Sequence, residues 1–256
     1  MENLSALNPY LGQLSAFTIN SPDLEASLQF YQKLGFKEVM RSDFPFPFIQ
    51  VTDDAILIML RKSNDPYIAL TYYTTDAGNT ITELEEKGVQ FSSKPKPGDP
   101  VRRFLLQSPD GMNISIVEML ALFDKPAGKT MLTMNQADYM KPGAYTNQTA
   151  GMFGEFAQTV ANLEQSIAFW EKLGFNTLTK YSSPHPWAIL ADGIAVVGLH
   201  QSQEFNSVTI TFFAADMKTK IDNLKKQGLS FKDMGPGNAE LTTPEDQKIF
   251  LFNMGM

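Results

Sequence analysis

The chain is poor in histidine and cysteine, two residue types that often bind metals or act in catalysis. It contains two histidines, His185 and His200, and no cysteine. Imidazole nitrogens bind divalent metals and transfer protons, so a centre built on two histidines would have to use both. His185 lies in a proline-rich loop before a predicted strand, and we expect His200, at the end of a strand, to be exposed. Without cysteine there is neither a disulfide nor a thiolate nucleophile.

Two further side chains in predicted strands are relevant to catalysis. Glu155 is the only candidate we name for a catalytic residue, and it would act as a general acid or base from a buried position. Ser115 has no histidine close to it in the sequence that could serve as its base. Nucleophilic catalysis is therefore not indicated.

The composition is that of an ordinary globular protein. The 256 residues are 43% hydrophobic and 19% charged, which is enough for two domains with real cores. The net charge of −7 argues against a nucleic-acid partner, because phosphate contacts need a basic surface. The sequence shows no apolar run of membrane-spanning length and no charged-then-apolar segment at its N-terminus, so we expect no signal segment. We expect a cytoplasmic protein with no membrane partner, and a homodimer is left open.

The chain repeats itself. DLEASLQFYQKLGFKE (23–38) and NLEQSIAFWEKLGFNT (162–177) match at 8 of 16 positions with an offset of 139. The other matching pairs are 45–48 with 184–187, 76–89 with 216–229, and 108–116 with 243–251. Self-similarity over the whole length predicts two copies of one domain.

The repeat sets the predicted domain boundaries. One domain covers 1–120 and the other 151–256. Between them, 121–150 has no clear period, so we interpret it as a long connector that packs over the surface.

Each copy has the pattern β-α-β-β-β twice. Apolar residues recur at helical spacing after each first strand, and strand-like runs follow. Asp23 and Asn162 are predicted N-caps, while Gly35 and Gly174 lie where a left-handed C-terminal residue is needed. Four such units fill the chain.

These features together resemble the vicinal oxygen chelate superfamily, which includes glyoxalases, bleomycin-resistance proteins and extradiol dioxygenases. The resemblance rests on FYQKLGF, on FWEKLGF and on Arg-x-Phe-x-x-x-x-Pro-Asp-Gly at 102–111, and it covers about 12–119 and 152–254. It implies an α+β fold of four βαβββ units in two tandem domains. Each domain would be a curved mixed sheet, or incomplete barrel, around a cavity with its helices outside.

The resemblance also implies three metal-ligand positions in each domain, normally two histidines and a glutamate. The first falls on Ala16 and Glu155, and the second falls near Tyr67 and on Ser207. The third falls on Ser115 and Phe250. Only Glu155 is a competent ligand among these six, so we predict no metal and no other cofactor.

Strand alternation instead predicts cavities lined by aromatic and hydroxyl-bearing residues, which suit a small organic ligand. The predicted ligand-binding residues are Phe46, Phe48, Tyr67, Thr71, Tyr73, Ser115, Glu155, His185, Trp187 and Phe250.

Three hypotheses follow, and catalytic activity is left open among them. In the first, the protein binds a small organic molecule without the usual metal. In the second, it is a metal-dependent lyase, isomerase or dioxygenase with an atypical site that uses Glu155 and His185. In the third, it is a structural or regulatory protein whose cavities are plugged by Phe250 and Phe252, since aromatic residues on strands are more often core than ligand wall.

Overall fold

A computed structural model describes residues 7–202 and 208–254 of the chain. The elements of the first half have the following bounds. They are β1 Leu14–Ser21, α1 Leu24–Lys33, β2 Lys37–Ser42, β3 Phe48–Thr52, β4 Leu57–Lys62, β5 Ile68–Thr74, α2 Gly78–Glu86, β6 Arg102–Gln107 and β7 Asn113–Glu118.

The second half repeats this order with one additional strand, β13. Its elements are β8 Met152–Thr159, α3 Leu163–Lys172, β9 Asn176–Tyr181, β10 Trp187–Ala191, β11 Val196–His200, β12 Thr209–Ala214, α4 Met217–Lys226, β13 Phe231–Asp233, β14 Ala239–Thr242 and β15 Lys248–Asn253. No helix in the described part of the chain is long and apolar enough to cross a lipid bilayer.

The helix boundaries follow the predicted signals. The Asp23 carboxylate accepts two backbone N–H bonds in the first turn of α1, and the Asn162 side chain accepts one in α3. Such bonds satisfy donors that the helix itself leaves unpaired. Gly35 and Gly174 have φ values of 90° and 89°, a conformation that disfavours residues with a Cβ. The predicted caps and ends are therefore confirmed.

The strands form two mixed sheets. One has the order β2-β3-β4-β1-β5-β7-β6, and the other β13-β14-β15-β12-β8-β11-β10-β9. β5 with β7 and β12 with β15 pair in parallel, whereas hairpins such as β10–β11 are antiparallel. The predicted α+β class with mixed sheets is confirmed.

One predicted strand is missing from the second unit of the first half. Between α2 and β6, an isolated bridge from Ser93 to Leu105 replaces the first of the three strands expected after the helix. Pro95, Pro97 and Pro100 follow at once in the sequence. Since proline has no N–H to donate, this stretch cannot extend a strand ladder.

The chain divides into two compact units that each combine segments from both sequence halves. The first unit comprises Met1–Thr18, Ile68–Lys125 and Ala157–Asn206. The second comprises Ile19–Tyr67, Pro126–Phe156 and Ser207–Met256. In the first unit α3 packs on β9, β10 and β11, and in the second α1 packs on β2, β3 and β4. The predicted boundaries 1–120, 121–150 and 151–256 describe the sequence repeat and stay a prediction.

Part of the connector is anchored inside the second unit. Asn147 is buried, and its Nδ2 donates to the Leu34 carbonyl and to Asp53, both at 3.0 Å. The Tyr145 hydroxyl accepts the backbone N–H of Ala215 at 2.9 Å. Because these bonds are made from buried or half-buried side chains, this part of 121–150 contributes to the packing of the unit.

Candidate functional site

Three of the positions to which the resemblance assigns metal ligands carry side chains that do not suit a divalent ion. Ala16, Ser115 and Phe250 are buried in β1, β7 and β15. A methyl group, a neutral hydroxyl and a phenyl ring are not the donors that such ions select. Glu155 supplies a carboxylate, and Ser207 lies outside the described residues. Within 7–202 and 208–254 no group of three His, Cys, Asp or Glu side chains could hold a metal ion.

Three hydroxyl groups, which we call the hydroxyl set, lie together in the first unit: Thr18, Thr71 and Ser115. Thr18 Oγ1 and Thr71 Oγ1 are 2.8 Å apart, and Thr71 is the register partner of Ser115. Ser115 is 2% exposed, and its Oγ has no hydrogen-bond partner among the described residues. A buried hydroxyl without a partner costs about 1–3 kcal/mol, so a polar ligand atom at this place would be stabilising.

An aromatic pair adjoins the hydroxyl set. Tyr73 follows Thr71 by two positions on β5, so strand alternation directs both side chains to the same face. The ring centroids of Tyr73 and Phe123 are 5.2 Å apart, with the planes at 79°. Phe123 belongs to the aperiodic connector and was not predicted. The pair adds apolar surface beside the hydroxyl groups.

A second group, the arginine cluster, lies in the second unit. The Arg61 guanidinium carbon is 5.4 Å from the ring centroid of Phe46 and 4.8 Å from that of Tyr67. Arg61 Nε donates to Asn20 Oδ1 at 2.7 Å, and Phe48 is the register partner of Arg61. The sequence prediction included the three aromatic residues but missed Arg61 and Asn20.

A third group, the imidazole cluster, lies in the first unit. His185 Nε2 and His200 Nδ1 are 3.2 Å apart. The rings of His200 and Trp187 are parallel within 3° at 5.7 Å, and Tyr181 stacks on Trp187 at 4.5 Å. His200 is therefore half-buried against an aromatic ring, and the expectation that it would be an exposed strand end was wrong.

The arginine and imidazole clusters occupy matching positions of the repeat. With the offset of 139, Phe46 corresponds to His185, Phe48 to Trp187, and Arg61 to His200. The strand registers also correspond, since Phe48 pairs with Arg61 and Trp187 pairs with His200. Each hairpin therefore places an aromatic side chain beside a side chain that contains nitrogen.

Phe250 lies in an aromatic stack of the second unit. Its ring is 5.7 Å from that of Phe252 with the planes at 7°, and Phe252 lies 5.6 Å from Phe213. A Cβ on Gly154 would be 2.3 Å from the Phe213 ring, so glycine makes room for this stack. Glu155 is 4% exposed, and its backbone N–H donates to Thr211 Oγ1 at 3.0 Å. The stack favours the third hypothesis, in which Phe250 and Phe252 fill the space where a ligand would bind.

Two buried aspartates occupy matching hairpin turns. Each Oδ1, of Asp53 and of Asp192, accepts two backbone N–H bonds from the residues that follow. Tyr72 donates to Asp192 Oδ2 at 2.6 Å, whereas Asn147 donates to Asp53 Oδ2 at 3.0 Å. Burial raises the pKa of both carboxyl groups, and these hydrogen bonds oppose the shift in part. Both aspartates stabilise their turns by accepting these backbone hydrogen bonds.

Comparison with known proteins gives one family match. Residues 13–116 match the model of the Glyoxalase/Bleomycin resistance protein/Dioxygenase superfamily. No curated protein sequence is significantly similar to this chain.

Several solved structures share the fold at low sequence identity. The 2,3-dioxygenase LapB from Pseudomonas sp. KL28 is 15% identical with a TM-score of 0.63, over 98% of this chain and 94% of that one. Homoprotocatechuate 2,3-dioxygenase from Arthrobacter globiformis is 14% identical with a TM-score of 0.64, over 98% and 82%. The Mn(II)-bound glyoxalase from Novosphingobium aromaticivorans is 15% identical with a TM-score of 0.59, over 93% and 80%.

At this level of identity the neighbours show the fold, while activity depends on the residues at the site. Residues 13–116 match the glyoxalase, bleomycin-resistance protein and dioxygenase superfamily, and the chain is similar in fold to such proteins over nearly its whole length.

Proposed function

We propose that this protein binds a small organic molecule at the hydroxyl set of the first unit, without a metal ion at the superfamily's ligand positions. The observation that carries the proposal is the buried Ser115 Oγ, which has no hydrogen-bond partner among the described residues. It stands where the resemblance expects a glutamate. A hydroxyl there orients a ligand through hydrogen bonds, whereas it is a poor ligand for a divalent ion.

The hydroxyl set has donors to offer. When Thr18 and Thr71 share one hydrogen bond, the accepting hydroxyl keeps its own hydrogen for another partner. Ser115 adds a second O–H on the neighbouring strand. Two donors on one face favour a ligand that presents one or two acceptor oxygens, such as a carbonyl, a phenolate or a carboxylate.

The neighbouring aromatic pair restricts the ligand class further. Tyr73 and Phe123 place two rings beside the hydroxyl set. Aromatic faces and edges favour planar apolar groups, and binding sites commonly combine such surface with a few orienting polar groups. We therefore propose an oxygen-bearing aromatic molecule as the ligand.

A binding titration of the untagged protein in EDTA tests the proposal. Phenol and benzoate are the probes, and benzene is the control that lacks an acceptor oxygen. We expect the oxygen-bearing rings to bind and benzene to bind more weakly. Ser115→Ala should weaken binding about tenfold, because one lost hydrogen bond is worth about 1.4 kcal/mol.

The exposed Ser230 provides a matched control. Ser230→Ala should leave the affinity for both probes unchanged. Equal affinity of Ser115→Ala and the unaltered protein would contradict the proposed site. Binding that appears only after Mn²⁺ or Fe²⁺ is added would instead favour the metal-dependent alternative.

A further inference from the structure

The imidazole cluster brings both histidines of the chain together. His185 precedes β10, His200 ends β11, and the register of this hairpin places His200 opposite Trp187. His185 Nε2 and His200 Nδ1 are 3.2 Å apart, and both side chains are half-buried.

That separation suits two ligands of one metal ion. Imidazole nitrogens that each lie about 2.0–2.1 Å from an ion, at an angle of about 90–110°, are roughly 2.9–3.4 Å apart. The distance of 3.2 Å between His185 and His200 falls in this range. A direct N–H···N hydrogen bond between the rings would give a similar distance. A hydrogen-bonded pair and a metal site are therefore distinguished by measuring metal affinity.

We propose that His185 Nε2 and His200 Nδ1 form a binding site for a divalent transition-metal ion that prefers imidazole, such as Cu²⁺, Zn²⁺ or Ni²⁺. Each ring binds through its unprotonated nitrogen and carries its proton on the other one. The net charge of −7 favours the approach of a cation.

The surroundings hold the site in shape. Trp187 lies parallel to the His200 ring, and Tyr181 in turn stacks on Trp187. These contacts restrict the rotation of His200, so little side-chain freedom is lost when the ion binds. No third His, Cys, Asp or Glu completes a group with them in the described residues, and the remaining coordination positions are open to water or an added ligand.

This site is separate from the positions that the superfamily resemblance assigns to a metal. It uses the β10–β11 hairpin, and the same positions of the first repeat carry Phe46 and Arg61, which do not bind metal ions. It does not depend on ligand binding at the hydroxyl set.

Cu²⁺ titration of the untagged protein, followed by tryptophan fluorescence and calorimetry, tests the proposal. Trp187 is in contact with His200, whereas Trp170, the other tryptophan of the chain, is fully buried in the core. We expect about one equivalent to bind and to quench the Trp187 component, and Zn²⁺ to compete for the site. The Cu²⁺ spin-resonance spectrum should show two nitrogen ligands.

Two variants and one control decide the outcome. His185→Asn and His200→Gln should each weaken Cu²⁺ and Zn²⁺ binding by roughly tenfold or more, because a single imidazole remains. Ser182→Ala alters an exposed residue of the same loop and should leave both titrations unchanged. Circular dichroism and urea midpoints establish that the variants fold.

Binding of equal strength in His185→Asn, or no saturable binding in the unaltered protein, would overturn the proposal and leave a simple hydrogen bond between the rings. Should one variant fail to fold, the spin-resonance count of nitrogen ligands in the unaltered protein still decides between these outcomes.

Discussion

The arginine cluster and the imidazole cluster occupy the same positions of a duplicated hairpin and yet differ in chemistry. Phe48 pairs with Arg61 in one copy, and Trp187 pairs with His200 in the other. Both copies keep an aromatic residue and a nitrogen-bearing residue at these register positions. Duplication has therefore preserved the scaffold while the polar groups diverged.

The difference concerns charge and donor type. A guanidinium stays positively charged at all ordinary pH values and only donates hydrogen bonds, so the arginine cluster repels cations. Neutral imidazoles have lone pairs and attract metal ions. The comparison suggests that the two hairpins are suited to different ligands.

Transplanting the imidazole pair should have the largest effect. In the double variant Phe46→His/Arg61→His, the first repeat gains the two side chains that the second repeat carries at these positions. We expect Cu²⁺ stoichiometry to rise from about one to about two equivalents, measured by calorimetry. Quenching of Trp187 should still saturate with one of them.

A folded double variant that binds no additional copper would show that two imidazoles at these positions are insufficient. The aromatic row of Trp187 and Tyr181 would then be needed as well. Ser42→Tyr added to the double variant separates these explanations, since it supplies the ring that Tyr181 provides in the second repeat.

Gly154→Ala tests how far the second repeat depends on close packing. A Cβ at this position would be 2.3 Å from the Phe213 ring, while the matching position of the first repeat is Ser15, which has a Cβ. We expect the free energy of unfolding in urea to fall by about 1–3 kcal/mol through overpacking. Phe213→Leu should recover part of this loss. Ser15→Ala is the comparison at the matching position, where only the Ser15 Oγ hydrogen bond to the Ile194 carbonyl at 3.2 Å is lost.

Arg61→Lys should have a smaller effect on stability. Lysine keeps the charge but loses the planar contact with Phe46 and Tyr67 and the Nε–H bond to Asn20. We expect a loss of about 1 kcal/mol in urea unfolding. The comparison is with His200→Gln, which also replaces a planar group beside an aromatic residue. A lysine variant as stable as the unaltered protein would show that charge alone accounts for the role of Arg61.

The sequence predicted the elements well because their signals are local. The N-caps Asp23 and Asn162 and the left-handed Gly35 and Gly174 were predicted from residue type and helical spacing, and all four are confirmed. The missing strand before β6 shows the limit of this approach. Three prolines stand in that stretch, and an apolar pattern alone does not reveal that they interrupt the ladder.

The arginine and imidazole clusters depend on the register between paired strands, which local sequence patterns do not predict. Asp192 accepts the N–H groups that follow it and so fixes the centre of the β10–β11 turn. Counting outward from that turn pairs Trp187 with His200, so this contact was accessible from the sequence once the turn was located. The contact between Phe123 and Tyr73 was not accessible, because the connector has no period from which its position could be inferred.

The smallest expected effect concerns the two turn aspartates. Burial raises the pKa of Asp53 and Asp192 above that of an unfolded aspartate, which is about 3.9. At a pH between the unfolded pKa of about 3.9 and the raised folded pKa, the folded state therefore binds more protons than the unfolded state. Their contribution to stability is fully present below the unfolded pKa and is lost as the pH rises through the folded pKa.

Asp192→Asn removes one of these titrations and should flatten the pH dependence of the urea midpoint just above pH 4, where the unfolded aspartate titrates. Asp53→Asn should do the same in the second unit, with Asn147 in place of Tyr72 as the side-chain donor. Because an aspartate that receives three hydrogen bonds is partly compensated for burial, we expect each change to be below about 1 kcal/mol. A steeper pH dependence in either variant would show that the carboxylate form is the stabilising one.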